Sequence, residues 1–255
     1  MLFWIALRKE LLEQWRTHRM LIVAAVLLLF GMASPLLAKY LPELLKAAIP
    51  AEQAEGLLGL IPTATAGDSA DQYVKNTVQF GVLLALLMAM GTVAVEKDRG
   101  TAALMLVKPL PRWAFLLAKF AALGITFAGG IVLAGLASYL YTVLLFGAVS
   151  ASAWLAMNAL ILLCLLVYVA LTLLCSTLTR SQVVAAGLAF GVLILLALLS
   201  ALPKVGDYVP THLANWGVAL VRGTGAAAWP AVWASLGLIA AALVGAWLVF
   251  ERQEL

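Results

Sequence analysis

Six apolar runs, each uncharged through its middle, leave this sequence few folds to choose from. They cover residues 20–38, 76–95, 118–147, 153–178, 182–202 and 231–250. A helix needs roughly 20 apolar residues to cross a bilayer. Each run is close to that length or beyond it. The third is long enough to require tilt or projection past the lipid. Hydrophobic residues make up 65% of the 255-residue chain and charged residues 11%, against roughly 45–50% and 25% in soluble domains. A soluble fold of this size cannot hide that much apolar surface. The composition excludes a soluble enzyme, a nucleic-acid-binding module and a disordered chain. The predicted class is an all-α polytopic membrane protein, one domain over residues 1–255 with six transmembrane helices.

Topology follows from the cations. Arg8, Lys9, Arg16, Arg19, Lys97, Arg99, Lys108, Arg112, Lys119, Arg180 and Arg252 fall on one side of the six crossings. Only Lys39, Lys46, Lys75, Lys204 and Arg222 fall on the other, where the loops are longer. The positive-inside rule makes the first side cytoplasmic, with both termini on it. A secretory leader fits the N-terminus poorly. Its apolar run is longer than the typical ~7–15 residues, and Glu10 and Glu13 precede it.

Two segments on the basic side carry pattern. In residues 1–19, Trp4, Leu7, Leu11 and Trp15 recur at spacings of three and four, with Lys9, Glu13 and Arg16 on another face. This spacing predicts an amphipathic helix lying in the interface, its tryptophans toward lipid. Residues 96–117 open with four alternating charges, Glu96, Lys97, Asp98 and Arg99. Gly100 permits a tight turn, and Thr101 can cap a short helix over residues 102–107. Pro109 and Pro111 then end it, and Arg112 and Lys119 flank the third crossing. A plain topology-setting turn needs fewer residues, so this loop suits docking to a partner. On the far side, residues 39–75 carry Pro42, Pro50 and Pro62, with a short amphipathic stretch at 43–49. Residues 204–230 carry Tyr208, Trp216 and Trp229, and residues 212–221 read as a short interfacial or re-entrant helix, or as ordinary loop.

Reactive chemistry is scarce. The chain has no G-x-x-x-x-G-K-[ST] phosphate loop, no H-E-x-x-H and no G-x-S-x-G. His18 and His212 fall on opposite sides of the predicted membrane, so one protomer cannot join them at a metal. Cys164 and Cys175 sit eleven residues apart on one helix, too far for a disulfide. Transporters driven by ion gradients place titratable groups within their spans. The middles of these six hold none, which points to energy supplied from outside the chain. Inside the spans, Gly187 and Gly191 form G-x-x-x-G, and Gly237, Ala241 and Gly245 form a small-residue stripe. Both patterns suit close helix packing, first of all within the monomer, with a subunit interface or a substrate path as the alternatives. Asn158, Thr172 and Ser176 read as interhelical hydrogen-bonding groups.

The order of elbow helix, six spans, charged loop after span two and short charged tail at 250–255 resembles the membrane subunit of ABC type-2 permeases. Their loop pattern is matched by Glu96, Gly100, Thr101, Leu104, Pro109, Arg112 and Lys119. The resemblance covers the whole chain in topology and residues 96–119 in motif. It implies an exporter subunit, not an enzyme, in the plasma membrane of a bacterium or archaeon. It implies two copies of a separate ABC ATPase that holds ATP and Mg, with no cofactor on this chain. A second permease would complete a homodimer or heterodimer. Residues 96–112 would couple to the ATPase. The lack of polar groups in the spans suits a lipid-like or amphipathic cargo. Two alternatives are a metalloenzyme maturation component related to such permeases, and an intramembrane hydrolase.

Overall fold

Caps and breaks set where the helices begin, and several begin earlier than the apolar runs do. The computed structural model describes residues 2–48, 64–101 and 111–253. Helix α1 spans Leu2–Arg16, α2 Arg19–Ala48, α3 Ala66–Ala89, α4 Ala94–Asp98 and α5 Arg112–Phe146. Helix α6 spans Ala151–Leu178, α7 Gln182–Ser200, α8 Pro210–Arg222 and α9 Trp229–Glu251, with a 3-10 turn at Gly206–Tyr208. The described residues contain no strand. Six helical segments are long and apolar enough to cross a membrane: α2, α3 with α4, α5, α6, α7 and α9.

The second span starts ten residues before the expected position. Thr65 and Asp68 cap each other's backbone amides reciprocally, and Asp71 pairs with Lys75 one turn on, at 2.6 Å. Charges that end an apolar run need not end a helix, because capped helices continue beyond the hydrophobic stretch. The third span likewise starts at Arg112, directly behind Pro111. Proline presets the entry to a helix and lacks the amide that would go unsatisfied there. Residues 212–221 belong to α8, which begins on Pro210 and ends on Gly223 in the left-handed conformation (φ 67°). The expected helix over 102–107, with Leu104, Lys108 and Pro109, lies outside the described residues, as do Pro50 and Pro62.

Helix α6 is the axis of the bundle. Of its most apolar stretch 61% is buried, against 17% for α7 and for α9. It packs on α3, α5, α7, α8 and α9, while α2 lies along α5 and α3, and α1 along α5. Buried polar pairs fix the registers away from α1. Ser69 meets Thr142 at 2.8 Å. Asn76 donates to Ser34 at 2.9 Å, and Tyr73 donates to Asn158 at 2.7 Å.

The close crossings use other small residues than those expected. A Cβ on Gly31 would stand 2.6 Å from the Ala134 carbonyl oxygen, so α2 and α5 touch backbone to backbone. One on Gly217 would stand 2.9 Å from Met157, where α8 presses on α6. By contrast Gly187, Gly191 and Gly237 have open space at that position, Ala241 is exposed, and Gly245 is in ordinary contact with Leu174. The expectation of packing within the monomer is therefore corrected for Gly187, Gly191, Gly237 and Ala241, and holds only for Gly245. Helices α7 and α9 turn the first four outward because their buried faces carry Ala185, Ala189, Ala242 and Ala246 instead.

This contrast predicts the outcome of two substitutions. Gly31→Val has no room and should cost about 1–3 kcal/mol or more. Gly129→Ala meets nothing within 4 Å and should stay near wild type. Thermal unfolding of both variants in detergent checks the difference.

Candidate functional site

Five separated pieces of chain meet at the end of the molecule that carries Leu2 and Gln253. Helix α1 presents Leu7, Glu10 and Gln14, at helical spacing, to α5. Leu7 packs with Ala118 and Ala122. The Thr126 hydroxyl donates to Gln14 Oε1 at 2.5 Å. Trp4 and Trp15 point outward, 69% and 70% exposed, and Leu11 is half-buried. The four residues of the apolar stripe are thus divided between surface and contact, and the contact face is partly polar.

Glu10 enters an ion cluster built from three elements. Lys119, on α5, is 2% exposed. Its ammonium lies 3.1 Å from Glu10 Oε1 and 2.9 Å from Glu96 Oε1, over the Phe115 ring. Lys9 reaches the same two carboxylates at 3.0 Å each, and Glu13 at 3.1 Å. Three carboxylates and two ammoniums leave one net negative charge. Glu96 Oε2 is buried without a partner among the described residues. Burial alone would raise the Glu10 carboxyl, but Lys119 and Lys9 outweigh it and hold it below its ordinary value. Burial likewise opposes the Lys9 charge, and Glu10 with Glu96 raises that ammonium above its ordinary value. Glu10, Glu13 and Glu96 converge closely enough to hold a metal ion. Lys9 already bridges all three, so a metal would have to displace an ammonium.

A second junction lies beside the first. Between α3 and α4 the helix breaks at residues 90–93, and Ser176 of α6 splints the break. Its hydroxyl accepts from the Val93 and Ala94 amides at 3.1 and 3.0 Å and donates to the Met90 carbonyl at 2.8 Å. Lys97 donates to the Thr177 carbonyl at 2.7 Å and to Gln253 Oε1 at 3.0 Å. Arg112 donates to the carbonyls of Phe250, Glu251 and Gln253 at 2.5, 2.8 and 3.1 Å. A cation at a helix C-terminus satisfies carbonyls that have no partner within the helix. Arg112 and Lys97 thereby tie the end of α9 to α4, α5 and α6.

The four alternating charges consequently do different things. Glu96 and Lys97 turn inward to the two junctions. Asp98 and Arg99 are exposed and border a shallow polar cleft with Arg180 and Gln182. Gly100 holds a left-handed backbone (φ 68°), and a Cβ there would meet nothing within 4 Å among the described residues. The Thr101 hydroxyl donates back to the Glu96 carbonyl at 3.2 Å. Sequence reasoning missed Glu10, Gln14, Thr177 and Gln253 as members of this end. The available signal was Glu10 lying between Leu7 and Leu11 on the side of α1 that turns to the bundle.

Removing one partner of a buried ion pair costs about 3–5 kcal/mol. Lys119→Met should lower the unfolding midpoint in detergent by that order, and adding Glu10→Gln should recover part of it. The pH dependence has a definite sign. Glu10 has a lowered folded value, so its stabilisation is present above its unfolded value and is lost as pH falls through the folded one. Lys9, with a raised value, loses its share only in strong alkali. Melting temperatures should fall below about pH 4.5, less so in Glu10→Gln.

Two comparisons bear on this arrangement. YxlG, an uncharacterized transmembrane protein of Bacillus subtilis (strain 168), is 27% identical over 215 residues, 81% of this chain and 80% of that protein. The sequence pattern of a family described as "ABC-2 family transporter protein" matches residues 4–255. That match runs from α1 through all six spans to the tail held by Arg112 and Lys97, and the chain therefore belongs to the ABC-2 transporter family.

Proposed function

We propose that this chain is the permease subunit of an exporter driven by a separate ATP-hydrolysing partner, which binds at the end carrying both termini. Family membership makes the chain a membrane subunit of a transporter. The finer reading rests on one observation: the ion cluster and the Arg112–Lys97 clamp join α1, α4, α5, α6 and α9 at one end. A push applied there reaches four spans at once, because interdigitated helices transmit displacement instead of absorbing it.

In this mechanism the partner supplies ATP and Mg, and two partners act on two permeases. Asp98 and Arg99, with the neighbouring Arg180, form the contact surface. Glu96 and Lys97 carry the displacement inward. The terminus-bearing end faces the cytoplasm, as its cations favour. Helix α1 lies in the interface with Trp4 and Trp15 toward lipid. The cargo is amphipathic and leaves through a path between the two permeases. The outward-facing Gly187, Gly191 and Gly237 suit close approach of another helix.

Gentle extraction should bring down an ATPase subunit that carries a phosphate loop. Arg99→Glu should reduce permease-stimulated ATP hydrolysis about tenfold, consistent with a lost charge-assisted contact, while leaving the melting temperature of the chain unchanged. Capture of no ATPase, or full stimulation by Arg99→Glu together with Asp98→Lys, would overturn this reading.

A further inference from the structure

A cavity of about 690 Å³ opens at the end opposite the ion cluster. It is walled by α3, α6, α7, the 201–207 segment and α8 of one protomer. Ligand pockets commonly measure ~300–1,000 Å³, with apolar walls and a few placed polar groups. Here Val82 and Leu193 supply apolar wall. Lys204 and Asp207 stand exposed at the mouth and form no ion pair with each other among the described residues. Lys204 also holds a left-handed backbone (φ 68°), a conformation that an ordinary side chain rarely adopts.

Deep inside lies Tyr168, ten residues or about 15 Å from the C-terminal end of α6. It lines the cavity and is only 5% exposed. The other deep tyrosine, Tyr73, bonds Asn158 and does not line it. The Tyr168 ring edge at the floor, the apolar wall of Val82 and Leu193, the polar Gln79, Thr211, His212 and Asn215, and two opposite charges at the mouth form a complementary set.

We infer that this cavity binds a small zwitterion carrying an apolar moiety. Its anionic group would pair with Lys204 and its cationic group with Asp207. The apolar part would lie along Val82 and Leu193, and a polar atom would meet the Tyr168 hydroxyl. The inference deepens the transport reading, on which it rests, by naming a substrate class. Two sources share this chemistry: a single-chain zwitterionic lipid, and an apolar dipeptide.

The test uses the full chain in nanodiscs of anionic phosphatidylglycerol and a lysophosphatidylcholine bearing a diazirine on its acyl chain. Saturable adducts are expected on peptides covering residues 78–82 and 193–215. Lys204→Gln, Asp207→Asn and Tyr168→Phe should each lower labelling about tenfold, with melting temperatures unchanged. Labelling displaced by unlabelled lysophosphatidylcholine but not by leucyl-leucine assigns the lipid source, and displacement by leucyl-leucine as well assigns the peptide source. Adducts spread over the lipid-facing surface, labelling indifferent to Lys204 and Asp207, or equal displacement by lysophosphatidylglycerol would each overturn the inference. The ATPase plays no part in this measurement. Capture of an ATPase without labelling removes the pocket alone, and labelling without capture removes the transport reading alone.

Discussion

Lys119 is an ammonium buried inside the third span, and the arrangement of the terminus-bearing end depends on neutralising it. A charge removed from water is costly unless several partners replace the lost solvent. Glu10 and Glu96 do so, and they come from different helices. The cost of leaving Lys119 unpaired thus holds α1 against α5, and the end of the second span against both. Lys9 closes the cluster from the solvent side. Gln14 and Thr126 extend the same contact one turn further.

The second junction solves a different problem with the same kind of group. The second span breaks at residues 90–93, and the ninth helix ends at Glu251; both leave backbone groups without helical partners. Ser176 satisfies the first and Arg112 the second, while Lys97 reaches the Thr177 carbonyl at the end of α6 and the Gln253 side chain. Each bond crosses between elements far apart in sequence. The result is one connected end on a bundle whose outer helices, α7 and α9, leave most of their apolar surface exposed.

The two ends of the molecule therefore differ in chemistry. At the terminus-bearing end, charges are paired, buried and shared among elements. At the other end, Asp71–Lys75 and Asp68–Arg222 pair at the surface, while Lys204 and Asp207 line a cavity and form no ion pair with each other among the described residues. Paired charges rigidify, whereas unpartnered ones remain available to a ligand. Such a division suits a protein that receives force at one end and handles a molecule at the other.

The sequence by itself determined the class, the six spans and which loop gathers the charges. Hydropathy belongs to one segment at a time, and roughly 20 apolar residues are sufficient to read a crossing. Glu96, Lys97 and Arg112 were also legible as a group, because they lie close together along the chain. Only the tertiary structure decided their partners. Nothing in the spacing of Glu10 indicates that it meets a lysine 109 residues away, or that Gln253 meets Lys97 across 156. Small residues show the same limit. Gly31 and Gly187 look alike in an apolar run, yet one touches the Ala134 backbone and the other faces open space. A close approach depends on two surfaces at once, and a single segment of sequence specifies only one of them.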